Sequence, residues 1–301
     1  MENASNMHPV SSANPRFAAG VLGVPGAERQ LRCAKAYRSC IDQLQTFMEQ
    51  TGFTDVVLGL SGGIDSSLAA VIAVDALGAS HVHGILLPGP YTSDMSNEDA
   101  YEIARLLDIE VHEISIALPF KSFEQSIEAG WGIALDGLAA QNTQARCRMV
   151  CLMALSNTFG WMLLNTGNKS EAAMGYSTLY GDAAGAYAPL GNLYKTEVYA
   201  LTEWRNAVAR EKGEPQPIPQ RVIERPPSAE LAPDQEDEKS FGVSYEVLDR
   251  ILIGHFERGE SAEGFLRDGL DEATVRRVLD TYEKNAFKRR LLPPAPKRIW
   301  G

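Results

Sequence analysis

The sequence predicts an α/β fold, a doubly wound parallel sheet with helices on both faces. Three observations predict it. Short apolar runs alternate with longer segments of helical apolar spacing, the pattern of βαβ units. A Ser-Gly-Gly turn joins the first apolar run to the first such helix. The alternation runs without an internal repeat, and the chain, 301 residues and 45% hydrophobic, is long enough for a sizeable core.

The elements follow in order. Residues 1–30 begin rich in Ser, Asn, Pro and Gly and read as an N-terminal arm, with 31–301 as the folded domain. From Gln30 to Glu49, the positions Leu31, Ala34, Cys40, Ile41, Leu44 and Met48 recur at helical spacing. "DVVLGL" (55–60) is a buried strand, and "SSLAAVIAVDAL" (66–77) a helix stopped by Gly78. "HVHGILLP" is a second strand, "NEDAYEIARLL" a second helix, and "IEVHEISI" a third strand. A long helix runs through "QNTQARCRMVCLMALSNTF", and "WMLLN" is a fourth strand. "LYKTEVYALTEWRNAVAR" is another helix. Residues 213–242 are proline-rich and acidic and read as a long, mobile loop of the kind that covers binding sites. Residues 243–285 are helical in pattern, and "FKRRLLPPAPKRIW" is a basic tail.

Composition excludes some partners. The net charge of −11 opposes wrapping of nucleic acid, where phosphate neutralisation dominates. It still allows a small polyanion, because a few Lys and Arg can reverse the field in one pocket. No stretch approaches the ~18 apolar residues of a membrane span. The first twenty residues lack a basic segment followed by an apolar one, so a cytoplasmic protein is expected. Cys33, Cys40, Cys147 and Cys151 have no histidines at ligand spacing and read as reduced thiols.

The chemistry centres on "SGGIDSS", residues 61–67. Between a strand and a helix of an open α/β sheet, it lies where ligands bind. Gly62 and Gly63 allow positive φ and close backbone approach. The N–H groups of 61–66 and about half a positive charge at the helix N-terminus favour phosphate. Ser61, Ser66 and Ser67 add hydroxyls. A tight turn with Asp65 as a plain N-cap is the competing reading. The string is neither G-x-x-x-x-G-K-[ST] nor G-x-G-x-x-G. A second polar stretch, 165–198, follows the fourth strand and carries Thr166, Lys169, Glu171 and Lys195.

"SGGIDSS" after a strand resembles the pyrophosphate loop of the N-type ATP pyrophosphatases, which have an adenine nucleotide alpha hydrolase-like fold. "TGNKSE", "GYSTLYGD", "LYKTEV", "QNTQARCR" and "RPPSAEL" resemble NAD synthetase in particular, over about residues 31–292. The resemblance implies ATP and Mg²⁺ at the site. ATP would meet Gly59, Leu60, Ser61, Gly62, Gly63, Ile64, Asp65 and Ser66, together with Thr166, Lys195 and Ser228. Asp65 and Glu171 would be Mg²⁺ ligands, and Lys169 would face the phosphates. Asn142, Arg146, Glu171 and Lys288 would contact deamido-NAD. The implied reaction is ATP-dependent amidation of deamido-NAD with ammonia, through an adenylated carboxylate, releasing AMP and pyrophosphate. A homodimer is implied as well. Leu179, Ala186 and Phe287 depart from the stand-alone, ammonia-using branch, and the substrate loops resemble the glutamine-dependent one. Thirty residues ahead of the first helix leave no room for a glutaminase, so ammonia is the expected nitrogen donor and a separate glutaminase a conceivable partner. The alternatives are another ATP pyrophosphatase with a different acceptor, or a non-catalytic adenine-nucleotide-binding module.

Overall fold

A computed structural model describes residues 26–300. Helix α1 (Gly26–Thr51) leads into strand β1 (Val56–Gly59) and helix α2 (Ile64–Leu77). Strand β2 (Val82–Leu86), helix α3 (Asp94–Leu107) and strand β3 (Glu110–Glu113) follow. Helices α4 (Ala117–Trp131) and α5 (Gly137–Phe159) then return the chain to strand β4 (Met162–Leu163). All pairings are parallel, in the order β3-β2-β1-β4.

That order positions the site. The chain moves outward from β1 to β2 to β3, then jumps back to place β4 on the free side of β1. The direction of winding reverses between β1 and β4, and the crevice at such a reversal is where open α/β sheets bind ligands. The two faces are covered by different helices. Val56 and Leu58 pack with α1, α2, α3 and the later helix α7 (Lys195–Glu211). Val57, Ile85 and Leu163 pack with Phe120 of α4 and with Cys147, Met149 and Leu152 of α5. The central strand β1 and its neighbour β4 are apolar on both faces because both faces are covered, whereas the edge strand β3 is polar and largely exposed.

A second apolar cluster lies beyond the sheet's carboxyl edge. Helix α6 (Lys169–Met174) joins α10 (Tyr245–Leu252) and α12 (Glu272–Lys284) there, with Leu248, Ile251, Leu252, Phe265 and Val278 at its centre. Helix α10 runs on as a π-helical turn, Ile253–Glu257, and α11 (Ala262–Arg267) precedes α12.

Four expectations change. Helix α1 begins at Gly26, so the described end of the expected arm is already helical; the rest of the arm lies outside the described residues. Helix α4 had no counterpart in the sequence reading, because only Phe120 of it is buried and its apolar spacing is weak. The segment 213–242 is not one continuous loop: it contains α8 (Gln220–Glu224) and α9 (Asp237–Phe241), and Ile218, Val222 and Ile223 anchor it in the main core. The basic tail folds back, with Arg298 paired to Glu197 at 2.6 Å and Trp300 buried. All four cysteines are free, three of them buried. Among the described residues no helix is long and apolar enough to cross a membrane.

Candidate active site

The loop after β1 takes its shape from its own serines. Ser66 Oγ donates to the Gly63 carbonyl at 3.1 Å and accepts from the Ser61 amide at 3.2 Å. Ser67 Oγ donates to the same carbonyl at 2.7 Å. Gly62 sits at φ +74, and a Cβ there would stand 2.2 Å from the Ser96 carbonyl oxygen of α3. Glycine is therefore required twice over, by conformation and by space. Gly63 occupies the cap position of α2 with no side-chain cap. Asp65 lies in the first turn and does not cap the helix, so its carboxylate is left free to face the cleft.

Across the cleft, Asn168 caps α6 in a reciprocal box with Glu171: the Glu171 amide donates to Asn168 Oδ1 at 3.0 Å, and the Asn168 amide to Glu171 Oε2 at 3.3 Å. The same Asn168 donates through Nδ2 to Asp65 Oδ1 at 2.9 Å. One residue thus meets both carboxylates that the sequence singled out, Asp65 through its side chain and Glu171 through its backbone amide.

Lys195, the first residue of α7, stands between them. Its Nζ is bonded to Asp65 Oδ2 and lies 3.6 Å from Glu171 Oε1. The Lys195 side chain is 2% exposed. Burial alone would pull a lysine toward its neutral form, but the charges of Asp65 and Glu171 outweigh it and hold the ammonium well above the usual range. Glu171 moves the other way. Burial first, and the Asp65 charge second, push its carboxyl up to about 8. Asp237 of α9, also lining the cleft, adds to that repulsion and is itself raised by burial.

These groups line one cleft of about 430 Å³ between the carboxyl edge of the sheet, α5 and the segment 222–237. Of the expected site residues, Gly59, Leu60, Ser61, Gly63, Ile64, Asp65, Ser66, Asn142, Thr166, Glu171, Lys195, Ser228 and Lys288 line it. Gly62 is packed beneath, against α3. Two others are directed elsewhere. Lys169 donates to Glu257 at 2.7 Å and lies 5.1 Å from the Tyr194 ring centroid, outside the cleft lining. The expectation that it faces the phosphates does not match this placement, because Glu257 on the π-helical turn offers it a closer carboxylate. Arg146 donates to the Leu179 carbonyl at 3.2 Å and also stands outside the lining. Lys288 donates to the carbonyls of Gly175 and Ser177, both at 2.7 Å; burial lowers it, against the opposing charge of Asp182.

Several residues of the site escaped the sequence reading. Arg225 donates to the Gly62 carbonyl at 2.8 Å and to Ser96 Oγ at 3.0 Å, fastening the segment 213–242 onto the glycine loop. Glu230 accepts from Ser93 Oγ at 2.9 Å and Ser96 Oγ at 2.8 Å. Both lie in "RPPSAEL", so the motif was visible but the partners were not. Asn168 was visible in "TGNKSE" in the same way.

The chemistry available here is polyanion binding and charge neutralisation. The loop 61–66 lines the cleft at the N-terminus of α2, with its Ser61 and Gly63 amides held by the Ser66 and Ser61 hydroxyls, and one deeply buried ammonium lies between two acids. Among the described residues no group of three or more His, Cys, Asp or Glu forms a ready-made metal site. Two carboxylates beside a phosphate cradle nonetheless fit Mg²⁺, which typically takes one or two protein carboxylates and completes its shell with substrate phosphates and water.

Comparison with known proteins gives a consistent result. A family model described as NAD synthase matches residues 36–292. The chain is 44% identical over 264 residues to a Rhodobacter capsulatus protein named glutamine-dependent NAD(+) synthetase, covering 87% of this chain and 48% of that one. It thus spans about half the length of the curated relatives it matches. A solved glutamine-dependent NAD+ synthetase from Acinetobacter baumannii, in complex with adenosine diphosphate, is 37% identical with a TM-score of 0.62, covering 89% of this chain and 48% of that one. A solved NH3-dependent NAD synthetase from Campylobacter jejuni is 30% identical with a TM-score of 0.67, covering 85% of this chain and 96% of that one.

Proposed function

Because this chain belongs to the NAD synthase family, we propose that it amidates deamido-NAD to NAD with ammonia, using ATP and releasing AMP and pyrophosphate. The observation that carries the reading is the convergence of the 59–66 loop with Asp65, Lys195 and Glu171 in one cleft. The site reads as a place where a triphosphate is held and cleaved between its first two phosphorus atoms.

A carboxylate is a poor acyl donor because oxide leaves badly. Transfer of AMP to the nicotinate carboxylate of deamido-NAD makes a mixed anhydride, and pyrophosphate departs. Ammonia then adds to the carbonyl, AMP leaves with the C–O bond, and the released proton passes to solvent or a second ammonia. No covalent enzyme intermediate is needed. The protein must hold two polyanions in line and stabilise charge growing on the pyrophosphate. The N-terminal turn of α2 behind the 61–66 loop and Lys195 do this, and Ser228 and Thr166 orient the nucleotide. Asn142 and Lys288 line the cleft, Lys288 on the carbonyls of Gly175 and Ser177, and deamido-NAD would lie against them. Lys169 would join the phosphates only by leaving Glu257, and Arg146 would reach the dinucleotide only by leaving Leu179. Asp65 and Glu171 would hold Mg²⁺, which supplies Lewis-acid neutralisation of phosphate oxygens when bound.

The same reading takes the molecule as a homodimer. Leu118 and Phe123 of α4 and Val150, Met153 and Phe159 of α5 are all exposed, and two such helices leave an apolar face of the sort that associating surfaces present.

The test is product analysis with ATP, Mg²⁺, deamido-NAD and ammonium. NAD, AMP and pyrophosphate should appear in equal amounts. ADP and orthophosphate in their place would overturn the assignment.

A further inference from the structure

Helix α10 carries a carboxylate where its pattern calls for an apolar residue. Tyr245, Leu248, Asp249 and Leu252 fall at the i, i+3, i+4 and i+7 spacing of one buried stripe, and Asp249 is 0% exposed. A charge in such a place is costly unless its oxygens are filled. They are filled by two other helices. Ser170 Oγ donates to Asp249 Oδ1 at 2.5 Å. The Thr196 amide and Thr196 Oγ1 both donate to Oδ2 at 2.8 Å. Ser170 Oγ in turn accepts the Lys195 amide at 2.8 Å.

Ser170 directly precedes Glu171, and Thr196 directly follows Lys195. The carboxylate therefore grips the first turns of α6 and α7 at the residues adjoining the two that meet across the cleft. The 3.6 Å separation of Lys195 Nζ from Glu171 Oε1 depends on how those two turns are set against each other. The same α10 holds the lysine side chain too: Lys195 Nζ lies 5.3 Å from the Tyr245 ring centroid, one turn before Asp249. The helix thus fixes both the backbone and the side chain of Lys195, without itself supplying a group to the phosphates.

We propose that Asp249 is a positioning residue for the adenylation step, acting through Ser170 and Thr196 to fix Lys195 and Glu171 in mutual register. The inference rests on the reading of the cleft given above. Asp249 does not line the cleft; its removal should slow turnover while leaving substrate capture by the glycine loop intact.

The test uses the full chain. Asp249→Asn removes the charge and puts an NH₂ where Ser170 now donates, so that bond must reverse, with Ser170 Oγ accepting, and the charge-assisted strength of all three is lost. The expected result is a fall in kcat of tenfold or more, with KM for ATP and deamido-NAD changed less than threefold. Thr196→Val should lower kcat in the same direction, and Thr196→Ser, which keeps the hydroxyl, should restore it. These two variants carry the test if Asp249→Asn fails to fold. Hydrogen exchange gives a readout independent of the reaction. Peptides spanning 168–174 and 194–199 should exchange faster in Asp249→Asn, while the buried α2 peptide 66–73 keeps its protection. Unchanged exchange at those two peptides, a uniform rise over the whole chain, or a loss confined to KM would overturn the proposal. If the unmodified protein makes no NAD, the reading of the reaction fails, and the clamp is still judged by the exchange data.

Discussion

Asp65 and Glu171 share one lysine, so the three cannot be varied independently. Asp65→Asn and Glu171→Gln each remove an anionic group that would hold the metal cation beside the phosphates. Each should lower kcat on the order of 10²- to 10³-fold, as loss of a single transition-state electrostatic contact does. Circular dichroism should stay near wild type, but the melting temperature should fall, most for Asp65→Asn, because the buried Lys195 ammonium loses a charge partner. A kcat near wild type at saturating Mg²⁺ would remove that residue from the site. The raised Glu171 adds a pH prediction. Burial and the Asp65 charge raise its carboxyl to about 8 against the pull of Lys195, so the free protein should tend to keep this proton near neutral pH. A metal ligand must be deprotonated, so binding of Mg²⁺–nucleotide at pH 7 should release a proton and tighten as pH rises toward 8. Calorimetry in buffers of different ionisation enthalpy measures this, and a buffer-independent enthalpy would contradict it. The sign for stability is the reverse: a carboxyl raised above its unfolded value favours the folded state at low pH and less so as pH rises through 8.

The segment 213–242 shows what an element adds to its residues. Its prolines and acids mark it as a loop, but its fixed points are Arg225 on the Gly62 carbonyl and Glu230 on Ser93 and Ser96. Substitution Glu230→Ala should therefore raise hydrogen exchange over 225–237 in the free protein and raise KM for ATP more than it lowers kcat; unchanged exchange would show that Glu230 does not hold the segment. The glycine loop beneath is less forgiving. Gly62→Ala meets a positive φ and the Ser96 carbonyl together, so it should cost more than ~1 kcal/mol of stability and abolish nucleotide binding, both readable in a thermal shift with and without ATP. The tail is a third such element. Arg298 is the partner of Glu197, which is 1% exposed and closes the first turn of α7 by accepting the Tyr194 amide at 2.9 Å. Arg298→Ala would strand that buried carboxylate, and losses of this kind are about 3–5 kcal/mol, measurable by chemical denaturation.

At the scale of the molecule, the nitrogen donor and the assembly are the open variables to measure. Ammonia is the nucleophile in the proposed reaction, and ammonium has a pKa near that of lysine or slightly below. The concentration of total ammonium needed should fall as pH rises from about 7 to 9, and glutamine should not substitute for it in the purified chain; efficient use of glutamine would overturn this. Light scattering should give a dimer, and Val150→Glu on the exposed face of α5 should give monomers. Much of this was legible beforehand. Periodicity sets strands and helices because burial acts on local pattern, so the alternation of elements and the glycine loop after the first strand could be read from one dimension, while the "TGNKSE" and "RPPSAEL" segments stand out only by their resemblance to a known family. What the pattern could not carry is pairing. Only the order β3-β2-β1-β4 puts residues 61–66 beside 165–171, because strand order is a choice among packings that local periodicity leaves equal. Only the folded chain places Lys195 between Asp65 and Glu171 and draws Lys169 away to Glu257, because a long side chain goes to the charge nearest in space, and that distance is set by helices far apart in sequence.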